Sequence, residues 1–372
     1  MIYLDNAATT SMLEKAVDVY KKYACQSFFN PSANYREGVN VAKELQQAKE
    51  RLLSKLGASK GNIVYTGGAT ESNNLAIMGS KRNGKWEYVF SIGEHPSVYN
   101  TAKELEMQGH KVHFVGLDKN GRVDEALLKS VLSEKTRLVS FMHVSNETGA
   151  INNVQHLVGI IKDMAPNVLI HVDGVQAFCK IPVNIDQLGV DFYTVSAHKF
   201  HGPKGVGALY VKNLSTIKNI VFGGGQEGGL RSGTENVAGI MAMDYVIGQI
   251  DVASNYNHVS QLKKSVLDVF ATNDAVDVID GGSPYIISVG FKGVNGETLM
   301  RALQDYDIIV GMGSACSAKK AGNRILESMG YSKDDVKGRI RISFNETQTV
   351  EEVSSAAETI LKIYNEIWER VK

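Results

Sequence analysis

The segment Ser196-Ala-His-Lys199 sets a lysine at the exit of the apolar run Phe192-Tyr-Thr-Val195, just before the glycine-rich stretch His201-Gly-Pro-Lys-Gly-Val-Gly207. A lysine leaving a buried strand is awkward as an ammonium, because burial disfavours its charged form. The same effect frees the amine to attack a carbonyl. Upstream, the apolar run Ile170-His-Val172 delivers Asp173. Alone, such a carboxylate reads as a cap for the next segment. A third feature is Thr66-Gly-Gly-Ala-Thr-Glu-Ser-Asn-Asn74, which follows Ile63–Tyr65 and opens a helical pattern. Glycine amides and a hydroxyl at a helix N-terminus form a cradle for an anion such as phosphate. An N-cap role for Thr70 explains helix initiation but not two successive glycines. Amine, carboxylate and phosphate cradle together are the parts of a pyridoxal phosphate site. Lys199 would form the Schiff base, Asp173 would face the pyridinium nitrogen, and residues 66–74 would hold the phosphate.

The 372 residues include three cysteines. An odd count, with no apolar run after Met1, predicts free thiols in a reducing, cytoplasmic compartment. Cys25 ends a helical pattern and Cys179 follows Ala177-Phe178, so both are expected to be small buried hydrophobes. Cys316 lies in Val310-Gly-Met-Gly-Ser-Ala-Cys-Ser-Ala318, with Lys319 and Lys320 following. Small residues cannot pack a core but let a loop move, and nearby cations raise a thiol's thiolate fraction. That combination suits a nucleophile that collects a group at the site and carries it outward. Gly223-Gly-Gly-Gln-Glu-Gly228 matches a dinucleotide fingerprint, with Asp244 at a fitting distance. Gly229-Leu-Arg-Ser-Gly233 prolongs that loop where a helix should begin, so the dinucleotide reading fails. His198 and His201 have a metal-like spacing, but no further ligands cluster nearby and no metal is expected.

The elements around these residues alternate. Helices are expected at Glu14–Tyr23, Val39–Leu56, Glu71–Ser80, Ser97–Gln108, Asp124–Val131, Val154–Met164 and Asn236–Ile250; strands at Asn62–Thr66, Tyr88–Ser91, Lys111–Val115, Leu138–His143, Val168–Asp173, Phe192–Ser196 and Ala208–Val211. This predicts an α/β fold with a mostly parallel central sheet flanked by helices. Beyond Gly223 the pattern changes to one long helical stretch from Asn236 to Thr272, then strands at Asp277–Ile279, Tyr285–Val289, Ile308–Val310 and Arg339–Phe344. A helix at Gly296–Gln304 and a closing helix from Val350 complete a smaller α+β domain. The expected division is an N-terminal segment 1–15 packing on the lobes, a large cofactor-binding domain 16–250, and a small domain 251–372 carrying Cys316 and Arg341. Forty basic and forty acidic side chains leave no net charge. No broad field attracts nucleic acid, and no apolar run reaches the roughly 18 residues of a membrane span.

Motifs running from Tyr3-Leu-Asp-Asn-Ala-Ala-Thr-Thr10 to Arg341 carry a more specific resemblance. They include Asn30-Pro-Ser32, Glu94-His-Pro-Ser-Val98, Asn146-Glu-Thr-Gly149, His171-Val-Asp-Gly-Val-Gln-Ala177, Arg231-Ser-Gly-Thr-Glu-Asn236 and Gly313-Ser-Ala-Cys316. In this order they resemble the cysteine desulfurases, NifS/IscS-like members of the class V aminotransferase group with the type I pyridoxal phosphate fold. The resemblance implies that Lys199 carries pyridoxal 5'-phosphate, Asp173 faces its ring nitrogen and Gln176 bonds its ring hydroxyl. Ala69, Thr70, Ser196 and His198 are implied to hold the phosphate, and His95 to stack on the ring as an acid–base group. Asn146 is implied to reach the cofactor oxygen or the substrate. Arg341 is implied to clamp the substrate carboxylate, a task suited to a two-pronged guanidinium. Thr234 matches a threonine that completes the partner's phosphate site, implying a homodimer with shared active sites.

The implied reaction converts L-cysteine to L-alanine and a persulfide on Cys316. The sulfur would pass to an acceptor protein, an iron–sulfur scaffold or a tRNA-thiolating enzyme, without direct nucleic-acid contact. Within the same fold, a selenocysteine lyase or a small-amino-acid aminotransferase is the alternative; a non-catalytic sulfur carrier would need only its thiol. Tyr35 and Gly228 depart from the family pattern, where histidine and arginine are common.

Overall fold

The computed structural model describes residues 1–312 and 323–372. Its central sheet has seven strands in the order Asn62–Thr66, Gly207–Val211, Phe192–Ser196, Leu169–Asp173, Thr136–Met142, Glu87–Ser91 and Lys111–Val115. Gly207–Val211 runs against both neighbours, and the other six strands are mutually parallel. Helices cover both faces. Glu14–Cys25, Arg36–Lys55, Val154–Met164 and Val237–Gln249 pack on one face through Ala16, Val41, Leu45, Ile161 and Ile240. Ala69–Gly79 and Pro96–Met107 pack on the other through Leu75, Ile77, Val98 and Leu105. Double coverage explains why Leu169–Asp173 and Phe192–Ser196 are buried at every position and read as continuous rather than alternating patterns. The α/β expectation is borne out.

A second, three-stranded antiparallel sheet joins Arg339–Ser343, Ile286–Phe291 and Val276–Ile279. Val252–Phe270, Gly296–Gln304 and Val350–Val371 cover it, burying Val259, Leu299 and Ile360 against Ile287 and Val289. The N-terminal strand Ile2–Leu4 pairs in parallel with Ile308–Val310, and Leu4 joins the core of this second sheet.

The helix expected at Asn236–Ile250 is present as Val237–Gln249, but the longer helical stretch to Thr272 is broken into a second helix, Val252–Phe270, bent by 77° from the first. Ile250 is extended, and the Asp251 carboxylate accepts from the amides of Ala253 and Ser254, both at 3.1 Å. An aspartate that can cap a new helix competes with continuing the old one. Three short helices, Ile185–Leu188, Arg324–Ser328 and Lys333–Lys337, fall in stretches too brief for periodicity to reveal. Cys25 corrects a second expectation, because it is exposed. Its helix buries Ala16 and Tyr23, and a residue two positions beyond Tyr23 points about 200° away from that face. Cys179 is buried as expected. Among the described residues, no single helix is long and apolar enough to cross a membrane.

Candidate active site

Five strands of the central sheet end at one cavity of about 860 Å³, lined by Gly68, Ala69, Thr70, His95, Asn146, Asp173, Gln176, Ser196, His198 and Lys199, together with Arg341 of the second sheet. Ligands in open α/β sheets bind at such carboxyl ends, where adjacent strands send their chains to different sides. Nine predicted positions from the large sheet thus meet Arg341 across the two sheets. Thr234 is exposed and lies outside the cavity lining of this chain. Cys316 lies outside the described residues.

The strand Asn62–Thr66 turns through Gly67 and Gly68 into the helix Ala69–Gly79. Gly68 has φ +147°, a conformation that favours glycine, and open space lies where its Cβ would project. Among the described residues, no side chain caps this helix. Its first-turn amides therefore remain available to an anion, and the helix dipole favours negative charge there. Glu71 instead reaches back to the amide of Gly67, at 2.6 Å, and accepts from Arg231 at 2.8 Å.

Lys199 follows the strand Phe192–Ser196 and donates from Nζ to the carbonyls of Ala7 and Ala8, at 2.7 and 2.8 Å. Burial, with repulsion from Arg341, lowers its pKa to about 8 despite the opposing pull of Asp173 and Asp5. An appreciable share of neutral amine is thus present near neutrality. His198 is pushed down to about 4 by burial and by Lys199, Lys204 and Lys180, so its imidazole is neutral. Its Nδ1 lies 3.1 Å from the Thr9 hydroxyl.

Asp173 ends its strand and is 2% exposed. Its two oxygens accept from Asn73 Nδ2 at 2.9 Å and the Val175 amide at 3.0 Å. The same Asn73 amide donates to Ser97 Oγ at 2.9 Å, and Ser97 Oγ lies 2.8 Å from His95 Nδ1. The Ser97 amide also donates to that nitrogen, which leaves the proton of the neutral ring on Nε2. Burial holds the His95 pKa below its ordinary value, with Asp173 opposing and Lys199 and Arg324 adding. Asn73 thereby joins the fixed carboxylate to the placement of the imidazole.

Arg341 sits within the strand Arg339–Ser343 and donates from Nη1 to the Asn146 carbonyl at 2.7 Å and from Nη2 to Asp5 at 2.6 Å. Its Nε is buried and has no partner among the described residues, while the residue as a whole lines the cavity. A guanidinium at a cavity wall is suited to a carboxylate, which would take over donors now spent on Asp5 and Asn146. Sequence reasoning missed Asn73, Asp5 and Lys180. A polar residue inside an otherwise apolar helical face was the available signal for Asn73. None existed for Asp5, whose partner is 336 positions away.

The glycine loop near Gly223 confirms that a dinucleotide fold is absent there. Glu227 of its short 3-10 turn accepts from Lys49 Nζ at 2.7 Å and the Tyr65 amide at 3.0 Å, and Asp244 lies in a helix, paired with Arg51. Gly228 takes φ +64°, which a side chain there would strain. Tyr35 is exposed and packs edge-on against Phe29.

The fold and cavity define the class as an α/β protein that presents an amine and an anion cradle to one cleft. The family model for aminotransferase class-V matches residues 2–355, and the chain belongs to that family, among its NifS/IscS-like members. It is 36% identical to the "NifS/IcsS protein homolog" of Lactobacillus delbrueckii subsp. bulgaricus, covering 99% of this chain and 97% of the relative. It is 33% identical to the "Cysteine desulfurase IscS" of Dictyoglomus turgidum, covering 98% and 95%. A solved "NIFS-LIKE PROTEIN" superposes with a TM-score of 0.91 at 32% identity, covering 98% of this chain and 99% of that one.

Proposed function

We propose that the protein is a pyridoxal phosphate-dependent cysteine desulfurase that converts L-cysteine to L-alanine and leaves the sulfur as a persulfide on Cys316. The observation that carries this reading is the convergence of Lys199, Asp173, His95 and Arg341 on one cavity, in a chain similar to proteins named cysteine desulfurase. The cavity fits the cofactor on its own chemistry. An uncapped helix end faces open space beside Gly68, a fixed carboxylate is buried at Asp173, and Lys199 is an amine with a lowered pKa.

In this reading Ala69, Thr70, Ser196 and His198 hold the phosphate, Asp173 the ring nitrogen and Gln176 the ring hydroxyl. Thr234 from a second copy completes the phosphate site of a homodimer. Pyridoxal phosphate, when bound, supplies the electron sink that lets the Cα–H bond of an amino acid ionise. The protein's residues do the rest. Arg341 holds the substrate carboxylate, which displaces the Asp5 carboxylate from Nη2. Lys199 Nζ, as a neutral amine, takes the α-proton, and His95 exchanges a proton at Nε2. Cys316, as thiolate, attacks the substrate sulfur; the S–S bond forms as the Cβ–S bond breaks, and the electron pair stays with carbon and is protonated. The balance is cysteine plus thiol to alanine plus persulfide. The persulfide passes to an acceptor protein in the cytoplasm, an iron–sulfur scaffold or a tRNA-thiolating enzyme.

Purified protein loaded with pyridoxal phosphate and given L-cysteine and a thiol reductant, without any 2-oxo acid, is expected to form alanine and sulfide in equal amounts. Alanine that appears only when a 2-oxo acid is added would identify an aminotransferase instead. Cys316→Ala is expected to retain the visible cofactor band while losing sulfide release; undiminished release would remove Cys316 from the mechanism.

A further inference from the structure

Lys180 is a second buried amine beside the cavity that no step above uses. It is 5% exposed. Its Nζ donates to Gln176 Oε1 at 2.8 Å and lies 5.6 Å from the centre of the Tyr285 ring. Gln176, 1% exposed, donates from Nε2 to the Ala7 carbonyl at 2.9 Å, the same carbonyl that receives Lys199. The Ala7 carbonyl only accepts, so it takes the Nε2 edge of the amide, and the Lys180 amine, whose pKa burial and Lys199 lower to about 7, donates to the oxygen edge. These two neighbours therefore allow one orientation of the Gln176 amide. Its oxygen is spent on Lys180, and one amide hydrogen is left over in a residue that lines the cavity.

We infer that Lys180 is a positioning residue that locks the Gln176 amide with its N–H edge available to the cavity, so that a ring hydroxyl bound there meets a donor and is held as the phenolate. This rests on the reading of the cavity as a pyridoxal phosphate site. A donor on the phenolate weakens the phenolate's hold on the neighbouring imine proton, so losing that donor raises the pH at which the proton leaves. Lys199, Arg341, Glu346 and the Cys179 thiol are the other ionisable groups that act on Lys180. Its own charge could therefore also act on the cofactor directly. A double-mutant cycle separates the two routes.

The experiment is a pH titration of the visible absorbance of cofactor-loaded protein. Lys180→Met, an apolar chain of similar length in place of a buried amine, is expected to raise the midpoint by about one pH unit. Lys180→Arg, which keeps a donor opposite Gln176, is expected to restore it. In a Gln176→Leu background the Lys180→Met shift is expected to fall below roughly a third of that. An equal shift in both backgrounds would overturn the inference, because Lys180 would then act by charge and not through the amide. Wild-type protein without a visible band would overturn the functional reading and this inference together.

Discussion

The amine of Lys199 gives the sharpest quantitative test. An ordinary lysine titrates near 10.5, and burial with the Arg341 cation brings this one to about 8. At pH 7 roughly one amine in ten is then neutral, about 300 times the share at the ordinary value. Only the neutral amine attacks a carbonyl. The rate of covalent cofactor uptake by cofactor-free protein, followed by stopped-flow absorbance, is therefore expected to rise about tenfold per pH unit and level off near pH 8. Arg341→Gln removes the leading repulsive charge and is expected to move that break upward, by up to about one unit. A wild-type rate that keeps climbing in proportion to hydroxide through pH 10 would refute the reasoning, since it would mean that the cavity does not depress the amine.

Two further outcomes follow from other groups. Arg341→Lys keeps the charge but not the two-pronged guanidinium, and is expected to raise KM for cysteine about 10- to 100-fold with the cofactor band unchanged; an unchanged KM would remove Arg341 from carboxylate binding. Glu94 is fully buried, accepts from Ser140 Oγ at 2.6 Å, and is pushed up to about 8 by burial and by Asp173. Between pH 4.5 and 8 the unfolded chain has released this proton while the folded one retains it, so stability falls as pH rises through that window. Glu94→Gln is expected to flatten the loss, on the order of 2–4 kcal/mol, in melting curves taken from pH 5 to 8; parallel wild-type and variant profiles would refute it.

Strands such as Asn62–Thr66 and Phe192–Ser196 were legible because β-branched and aromatic runs between turn residues carry their own local signal. Lys199 and Asp173 were legible because each chemical group stands at the end of such a run. A helix ending near Ile250 was legible, but the sharp restart at Asp251 was not, since a capping aspartate and a helix-interior aspartate look alike in a periodic stretch. Cys25 was misplaced because the last turn of a helix can face either way. Asn73 and Asp5 act by contacts made only after distant segments meet. Lys180 reaches Gln176 within one turn, but Gln176 and Lys199 share the carbonyl of Ala7, a residue of the distant N-terminal segment. Pairing of that kind is tertiary information, and no window along the chain contains it.

The first eight residues meet the site as stand-in partners. Ala7 and Ala8 lend carbonyls to Lys199, and Asp5 lends a carboxylate to Arg341. Binding at this cavity is consequently an exchange and not a capture by bare charges, and the affinity of any incoming carbonyl or carboxylate is the difference between two sets of partners. Cutting the chain back to Thr9 would therefore leave Lys199 without both of its resting acceptors and Arg341 with the Asn146 carbonyl in place of its two partners.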